Sequence, residues 1–102
     1  MEHSGKTAFI TGGGKNIGRA IAINLASTGC NIVLNGNSDT EACEETAKVL
    51  LEKGVKASIV MGNVGSADEV KRMASEALDQ FGRIDILVNN AAIRPSKPFL
   101  EM

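Results

Sequence analysis

Apolar and polar residues alternate along this chain in a way that predicts four strands and three helices. Short runs rich in apolar and β-branched residues, typical of strands covered on both faces, occupy residues 6–11, 31–35, 56–61 and 83–88. Apolar residues recur at intervals of three and four, the period of a helix with one buried face, over residues 16–28, 38–53 and 66–81. The resulting order, β-α-β-α-β-α-β, requires parallel strands joined by right-handed crossovers.

Residues at the ends of the predicted helices support these limits. Ser38 with Glu41, and Ser66 with Glu69, have the spacing of a capping box, which satisfies backbone amides of a first helical turn. Glycine, the residue favoured just past a helix end, follows each helix at Gly29, Gly54 and Gly82. The inward faces predicted for the second and third helices comprise Cys43, Thr46, Ala47, Leu50 and Leu51, and Val70, Met73, Ala74, Ala77, Leu78 and Phe81.

Together these elements predict one α/β domain over residues 1–102. We expect a doubly wound parallel sheet, half of a Rossmann fold, with strand order 3-2-1-4. The first two helices would cover one face of the sheet and the third helix the other. The winding reverses between strands 1 and 4, and ligands bind beyond the carboxyl ends of strands at such a point. A binding site is therefore expected where these two strands end.

The stretch that joins the first strand to the first helix, residues 11–21, has the composition of a phosphate-binding turn. Glycines leave room for a phosphate to approach the backbone, and the first helical turn offers unpaired amides and partial positive charge. Gly12 suits the sharp turn off the strand, and Gly18 allows the helix to pack closely against it.

Two common phosphate-binding motifs do not fit this turn. The pattern Gly-x-Gly-x-x-Gly matches Gly12 and Gly14 but has Ile17 at its third glycine, and the Lys15-Asn16 pair excludes a P-loop. An ordinary structural turn is the alternative. Dinucleotide binding is favoured by the context, because the asparagine-rich end of the fourth strand, residues 89–92, would face the turn across the predicted crevice.

The composition of the chain argues against several classes of function. With a formal net charge of −1 and three aromatic residues, all Phe, the chain lacks the positive charge and stacking surfaces of nucleic-acid-binding proteins. No apolar run is long enough to span a membrane, and the N-terminus lacks a signal-peptide core. Cys30 and Cys43 are interpreted as buried thiols of a cytoplasmic protein rather than as a disulfide or a metal site.

Three motifs in order make the chain resemble the N-terminal half of the short-chain dehydrogenase/reductase family. Residues 11–18 resemble the family's Thr-Gly-x-x-x-Gly-x-Gly, with Asn16 in place of a glycine. The Asn63-Val64 pair is similar to the Asp-Val that follows the family's third strand. Residues 89–92 are similar to Asn-Asn-Ala-Gly, with Ala92 in place of the glycine.

The resemblance implies that the chain binds a nicotinamide dinucleotide. Asn63 would replace an aspartate that accepts a hydrogen bond from the adenine amino group, and an amide oxygen can do the same. The cofactor positions carried over from the family are Gly12, Gly14, Lys15, Asn16, Ile17, Gly18, Asn35, Asn37, Asn63, Val64, Asn89 and Ala91. Neither a metal site nor a catalytic residue is expected within the sequence.

The preferred cofactor is expected to be NADP rather than NAD. NAD-specific sites place Asp or Glu near the end of the second strand, where the carboxylate holds the ribose 2′-hydroxyl and repels a 2′-phosphate. Here that stretch reads Asn-Gly-Asn-Ser over residues 35–38, and the first acid is Asp39. Lys15 supports the same cofactor through the resemblance, since family members that use NADP often have a cation in the glycine turn.

The resemblance implies the family's chemistry, which is hydride transfer between the nicotinamide and a carbonyl or alcohol carbon of a small molecule. Within the family, the chain resembles the 3-oxoacyl-carrier-protein reductases most. The family's acid/base is a tyrosine in Tyr-x-x-x-Lys, assisted by a serine. The chain contains no tyrosine, so we expect a cofactor-binding fragment that is inactive alone. A non-catalytic nucleotide-binding module is the alternative. A methyltransferase shares the early β-α-β pattern but leaves residues 89–92 unexplained.

The composition of the fourth strand predicts that copies of this chain associate with one another. The apolar residues of this strand suit burial on both faces, and in the family a fifth strand and further helices cover it. In this chain we expect an unpaired strand edge, with apolar side chains on strands 1 and 4 facing water. Such edges recruit other strands, and a homo-oligomer is the expected outcome.

Overall fold

The computed structural model describes residues 4–12 and 16–90. Within these ranges the chain forms the strands and helices that the sequence predicts, in the predicted order. They are β1 (Thr7–Thr11), α1 (Asn16–Ala26), β2 (Asn31–Gly36), α2 (Thr40–Glu52), β3 (Ala57–Met61), α3 (Ala67–Phe81) and β4 (Ile86–Asn89). The limits lie close to the predicted ones, and the largest difference is at β4, which begins at Ile86 instead of Arg83.

The strands form one parallel sheet in the order β3-β2-β1-β4, as predicted. β1 lies between β2 and β4, with Phe9 beside Val33 on one side and Leu87 on the other. At the amino edge of the sheet, Thr7 N donates to Asp85 Oδ2 and Asp85 N donates to Thr7 O, both at 2.8 Å. The carboxyl ends of all four strands therefore lie along the opposite edge.

Successive residues of each strand contribute to two separate apolar cores, because side chains alternate between the faces of a sheet. α1 and α2 cover one face, where the buried residues are Ala8, Ile10, Ala22, Ala26, Cys30, Ile32, Leu34 and Leu50. α3 covers the other face, where they are Phe9, Val33, Val60, Met73 and Ala77. The predicted division of the helices between the two faces is confirmed.

The ends of α3 follow the prediction in part. Ser66 Oγ accepts a hydrogen bond from Glu69 N at 3.4 Å, and Gly82, with a φ of 78°, ends the helix in the left-handed conformation that glycine adopts readily. The Glu69 carboxylate does not complete a capping box. It accepts instead from Asn63 N at 2.6 Å, which ties the start of α3 to the loop after β3.

The capping box predicted at Ser38 and Glu41 is wrong. α2 begins at Thr40, the residue before it is Asp39, and no side chain caps this end of the helix. The reason lies in the preceding turn, where Asp39 Oδ1 accepts a hydrogen bond from Asn37 N at 3.1 Å. The carboxylate therefore stabilises the turn that leaves β2 rather than the first turn of the helix.

Three residues predicted to face inward are largely exposed: Leu51 at 56%, Leu78 at 47% and Val70 at 42%. The buried residues of α3 are Met73 and Ala77, which belong to the same core as Val33 and Val60, so the side of α3 toward β4 is open. Leu87 of β4 is 68% exposed, as expected of an edge strand. The prediction that β1 exposes apolar side chains is wrong, because this strand lies between two others and is buried throughout.

Candidate functional site

The turn from β1 into α1 depends on two glycines. Gly12 has a φ of 62°, a left-handed conformation that is costly for a residue with a side chain. At Gly18 a Cβ atom would overlap Gly12 O and lie 2.7 Å from Asn90 Nδ2. Gly18 therefore lets the first turn of α1 rest against the end of β1, which is the close packing that the sequence predicts.

Asn90 joins the carboxyl ends of β1 and β4. Its backbone N donates to Thr11 Oγ1 at 2.7 Å, and its Nδ2 donates to Gly12 O at 3.3 Å. Thr11 Oγ1 lies 3.3 Å from both Val88 O and Asn89 Oδ1, either of which can accept its hydrogen. The predicted meeting of the glycine turn with the end of the fourth strand is confirmed. Sequence reasoning named Asn89 and missed Asn90, although the doubled asparagine was an available signal.

A cleft of about 220 Å³ opens at the carboxyl edge beside this junction. The residues that line it, called here the β2–β3 cleft, are Gly12, Asn35, Gly36, Asn37, Asp39, Gly62, Asn63 and Val64. The cleft thus brings together candidate residues from three separate parts of the sequence: the glycine turn, the end of β2 and the pair after β3.

Asn63 is held in place by three hydrogen bonds, one of which its backbone O accepts from Ser66 N at 3.0 Å. Its backbone N donates to Glu69 Oε1 at 2.6 Å, and its Oδ1 accepts from Gly65 N at 2.8 Å. A carbonyl oxygen has two lone pairs, so Asn63 Oδ1 can accept a further hydrogen bond from a ligand. The geometry is therefore compatible with the acceptor role that the sequence suggests for this residue.

The two candidate asparagines at the end of β2 differ in exposure. Asn37 is exposed, whereas Asn35 is only 2% exposed and its Nδ2 donates to backbone carbonyls. Asn37 therefore offers the more accessible side chain on this wall of the cleft.

Asp39 lines the cleft, although sequence reasoning did not include it in the site. In the sequence it is only the first acid after residues 35–38, with no pattern that places it at the site. In the structure the turn from β2 brings its carboxylate back to the cleft wall, where Asn37 N binds one oxygen. Asp39 thus places negative charge beside the end of β2.

A groove separates α3 from β4 on the other face. It has a volume of about 260 Å³ and is lined by Phe9, Thr11, Val64, Val70, Met73, Leu87 and Asn89. A hollow of about 170 Å³ with an apolar lining continues it along β4, between Val70, Ala74, Ile84, Leu87 and Phe9. We call the two together the α3–β4 groove. The candidate residue Asn89 belongs to this groove rather than to the cleft, and Val64 lines both.

The remaining candidates lie at the start of α1 and after β4. Ile17 is 67% exposed in the first turn of α1. Gly14, Lys15 and Ala91 lie outside the described residues, and of Asn16 the structure describes the backbone.

Titratable groups with a shifted pKa lie at the amino edge of the sheet. Burial raises the pKa of the Cys30 thiol, and Cys30 and Cys43 are both buried, as predicted. Hydrogen bonds from the Arg83 side chain and from Thr7 N lower the pKa of the Asp85 carboxyl. Residues 4–12 and 16–90 include no group of His, Cys, Asp and Glu side chains that could hold a metal ion.

The fold and the three motifs match a known family. Residues 6–102 match the family model described as short chain dehydrogenase. The chain belongs to the short-chain dehydrogenase family.

This chain is similar to a known reductase over nearly its whole length. The 3-oxoacyl-(acyl-carrier-protein) reductase of Staphylococcus aureus is 40% identical over 97 residues, which is 95% of this chain and 39% of the reductase. The chain therefore spans about two fifths of the length of this short-chain dehydrogenase relative.

Solved structures of the family agree in fold. NAD+-bound xylitol dehydrogenase superposes with a TM-score of 0.86 at 36% identity, covering 91% of this chain and 35% of that one. L-sorbose reductase from Gluconobacter frateurii, complexed with NADPH and L-sorbose, gives a TM-score of 0.85 at 37% identity over 100% of this chain and 39% of the reductase. Similar short-chain dehydrogenases therefore bind either dinucleotide.

Within the described part of this short-chain dehydrogenase chain, none of the helices has the length and apolar character needed to cross a membrane.

Proposed function

We propose that this chain is the cofactor-binding part of an NAD(P)-dependent short-chain oxidoreductase. The observation that supports the proposal most strongly is the junction at the carboxyl edge, where Asn90 ties β4 to the glycine turn beside the β2–β3 cleft. The winding of the sheet reverses at this junction, which is where doubly wound sheets bind dinucleotides. In the whole protein, hydride would pass between the nicotinamide and a carbonyl or alcohol carbon of a small molecule.

In this proposal the adenosine of the cofactor occupies the β2–β3 cleft. Asn63 Oδ1 would accept a hydrogen bond from the adenine amino group, and Val64 would pack against the ring. The pyrophosphate would lie at the start of α1, and Gly12, Gly14, Lys15, Asn16 and Gly18 are the residues assigned to it.

The nicotinamide would extend from there toward β4. Ile17, Asn89 and Ala91 are the residues assigned to this end of the cofactor. Ile17 is largely exposed in the first turn of α1, so a ring that covered it would remove apolar surface from water, at about 25 cal/mol per Å².

Within this proposal NADP binds more tightly than NAD. The last residues of β2 and the turn beyond, residues 35–38, carry no carboxylate, and Lys15 adds a cation to the glycine turn. Asp39 acts in the opposite direction, because its carboxylate lines the cleft and would repel a 2′-phosphate. We therefore expect a modest preference for NADP that Asp39 limits.

Turnover is not expected from these residues alone, because the family's acid/base is a tyrosine and the chain has none. The similarity to a 3-oxoacyl reductase makes 3-oxoacyl thioesters the first substrates to test on the whole protein. The non-catalytic nucleotide-binding module is the alternative, and it predicts the same binding with no turnover in any form of the protein. We also expect a homo-oligomer and, from the two buried thiols, a cytoplasmic location.

Titration of the chain with NADPH, followed by nicotinamide fluorescence, tests the proposal. We expect saturable binding, weaker binding of NADH, and no consumption of NADPH with a 3-oxoacyl thioester. Gly18→Ala should abolish binding, because the new Cβ would overlap Gly12 O. Gly54→Ala is the control for a general loss of stability. Its φ of 89° makes a side chain costly there, but the new Cβ meets nothing within 4 Å and Gly54 does not line the cleft.

Three outcomes separate the parts of the proposal. A folded wild-type chain that binds neither dinucleotide would contradict it. Tighter binding of NADH than of NADPH would contradict the cofactor preference alone. Asp39→Asn should raise the affinity for NADPH relative to NADH by up to about fivefold, because it removes a partly exposed charge near the 2′-phosphate.

A further inference from the structure

Asn35 is a buried polar residue at the wall of the β2–β3 cleft. It lies near the carboxyl end of β2 and is 2% exposed. Its side chain shares the α3 face of the sheet with Val33, because residues two apart on a strand point the same way. A polar side chain in this position needs hydrogen-bond partners, since an unsatisfied buried amide is costly.

The side-chain amide nitrogen of Asn35, Nδ2, is surrounded by hydrogen-bond acceptors. Nδ2 lies 3.3 Å from Gly36 O, 3.2 Å from Val60 O, 3.2 Å from Gly62 O and 3.1 Å from Met73 Sδ. An amide NH2 has two hydrogens to share among these atoms. The carboxamide oxygen would face three carbonyl oxygens if the group were flipped, so the nitrogen belongs here.

These acceptors come from two strands and a helix. Gly36 ends β2, Val60 and Gly62 belong to β3 and the residue after it, and Met73 lies on α3. Gly62 N also donates to Gly36 O at 2.8 Å, next to the Asn35 amide. Gly36 and Gly62 both line the cleft. The Asn35 amide is thus bonded to both walls of the cleft at the point where β2 and β3 end.

We propose that Asn35 is a positioning residue for the cofactor, whose buried amide fixes the spacing between the two walls that receive the adenosine. The inference rests on the proposed function for the identity of the ligand. The position requires a neutral donor, because carbonyl oxygens surround it. A residue that can only accept would separate the walls even if its shape were the same.

Asn35→Asp tests this requirement with almost no change in shape. An ionised carboxylate has no hydrogen to donate and would face the three carbonyl oxygens. The charged groups at this corner are Asp39 in the cleft and, beside Gly62, Glu69 and Arg72 of α3. The Arg72 guanidinium is already held by Glu76 at 2.8 Å and by Met61 O at 2.7 Å.

In these surroundings burial would raise the pKa of an aspartic acid at position 35 above its ordinary value of about 3.9. The protonated acid would donate one hydrogen bond and close part of the gap between the walls. The defect of the variant is therefore expected to depend on pH.

Asn31→Asp is the matched control at the other end of β2. Asn31 Oδ1 accepts a hydrogen bond from Lys56 N at 3.0 Å, so this amide also links β2 to the start of β3. Here the side chain acts as an acceptor, and a carboxylate retains that role. The same substitution on the same strand thus preserves the interaction at position 31 and removes it at position 35.

The experiment is calorimetric titration of the full chain with ADP-ribose, between pH 5 and pH 8. This ligand has no 2′-phosphate, so a carboxylate at the end of β2 would not weaken binding by repelling one. Each variant is compared with wild type at the same pH, which cancels any pH dependence that the two share. Asn35→Asp should bind at least about tenfold more weakly than wild type at pH 8 and recover toward wild type at pH 5. Asn31→Asp should stay within about twofold of wild type throughout.

Binding by Asn35→Asp equal to that of wild type at pH 8 would overturn the proposal, and so would a loss of equal size at both pH values. If Asn35→Asp does not fold, Asn35→Ser and Asn35→Ala are compared instead. The two variants differ only in the serine hydroxyl, which can donate a hydrogen bond. The serine variant is expected to bind more tightly than the alanine variant. Equal binding of the two would also overturn the proposal.

Hydrogen exchange without ligand separates this inference from the proposed function. If wild type binds no adenosine nucleotide, the proposed function fails, and the role of Asn35 is still measured by the protection of Gly62 N. Protection of this amide should fall in Asn35→Asp at pH 8 by at least about tenfold and not in Asn31→Asp. Unchanged protection in Asn35→Asp would show that the amide does not hold the walls together.

Discussion

The two faces of the sheet differ both in composition and in how completely helices cover them. The strand residues on the face of α1 and α2 are apolar, whereas the face of α3 also carries polar residues such as Asn35, Ser58 and Asn89. On the face of α1 and α2, the strand residues Ala8, Ile10, Ile32 and Leu34 have no exposed surface. On the face of α3, the open α3–β4 groove leaves Leu87 in contact with water. Strands lie about 4.8 Å apart and a helix is about 10 Å wide, so one helix cannot cover four strands. The single helix on this face therefore buries its central strands and leaves β4 open.

The largest expected effect is on the free energy of unfolding, when one leucine on each face of the sheet is replaced by alanine. Leu34→Ala should lower the free energy of unfolding by about 2–5 kcal/mol, because it leaves a cavity among fully buried neighbours. Leu87→Ala should lower it by less than about 1 kcal/mol, because most of that side chain already contacts water. Urea unfolding at low protein concentration measures both. Equal losses would mean that the groove is covered in solution.

The second prediction concerns what the open face does at higher concentration. We expect the chain to sediment as a dimer or larger species at micromolar concentration, because among the described strands β4 lies at the edge of the sheet, beside an apolar groove. Leu87→Glu should shift the population toward monomer by placing a charge in that groove. Leu51→Glu, at an exposed leucine of α2, is the control and should leave the assembly unchanged.

A monomeric wild type would contradict this prediction. A larger effect of Leu51→Glu than of Leu87→Glu would place the contact on the face of α1 and α2 instead.

The third prediction measures access to each face with a thiol reagent. Cys30 and Cys43 lie in the interior on the side of α1 and α2, and burial raises the pKa of Cys30, so both should react slowly in the native protein. At protein concentrations low enough for the chain to be monomeric, a thiol introduced by Leu87→Cys should react at least about a hundredfold faster, because labelling there needs no opening of the fold. Fast labelling of the native cysteines would show that the covered face opens readily.

The smallest expected effect concerns the attachment of β4 at the amino edge. Hydrogen bonds lower the pKa of Asp85 in the folded protein, so its carboxylate stabilises the fold above the ordinary aspartate value of about 3.9. That contribution is lost as the pH falls through the lowered value. Thermal unfolding of Asp85→Asn should therefore begin below that of wild type at pH 7, and the difference should shrink as the pH falls through the lowered pKa of Asp85. Asp79→Asn, on the exposed surface of α3, is the control and should unfold at nearly the temperature of wild type at pH 7.

The architecture could be predicted because its signals are local. Apolar runs, helical periodicity and the glycines after each helix lie within short windows, and they gave the order of the strands and the division of the helices between faces. The errors at Leu51, Val70 and Leu78 arose because periodicity identifies an apolar stripe without showing how much of it a neighbour covers. At Ser38, a spacing rule could not show that Asp39 would bind Asn37 N instead.

The candidate site was predicted in outline for a related reason. The motifs placed the glycine turn, the end of β2 and the Asn63-Val64 pair at one edge, where the cleft lies. They did not identify the contacts that hold it together, which join residues far apart in sequence. Asn35 binds Val60, 25 residues away, and Asn90 binds Gly12, 78 residues away. Which way a side-chain amide points depends on these partners, and no local pattern contains them.

The place of β1 in the sheet has a consequence for the growing polypeptide. β1 gains β2 as a neighbour once residue 36 has been made, and its other neighbour, β4, is completed at residue 89. At about 5–20 residues per second, a ribosome needs about 3–10 s to cover that interval. During this time the strand that carries Phe9 and Ile10 has a bare edge that can pair with strands of other nascent chains. The rate of translation between β2 and β4 therefore sets how long this edge of β1 stays unpaired in each molecule.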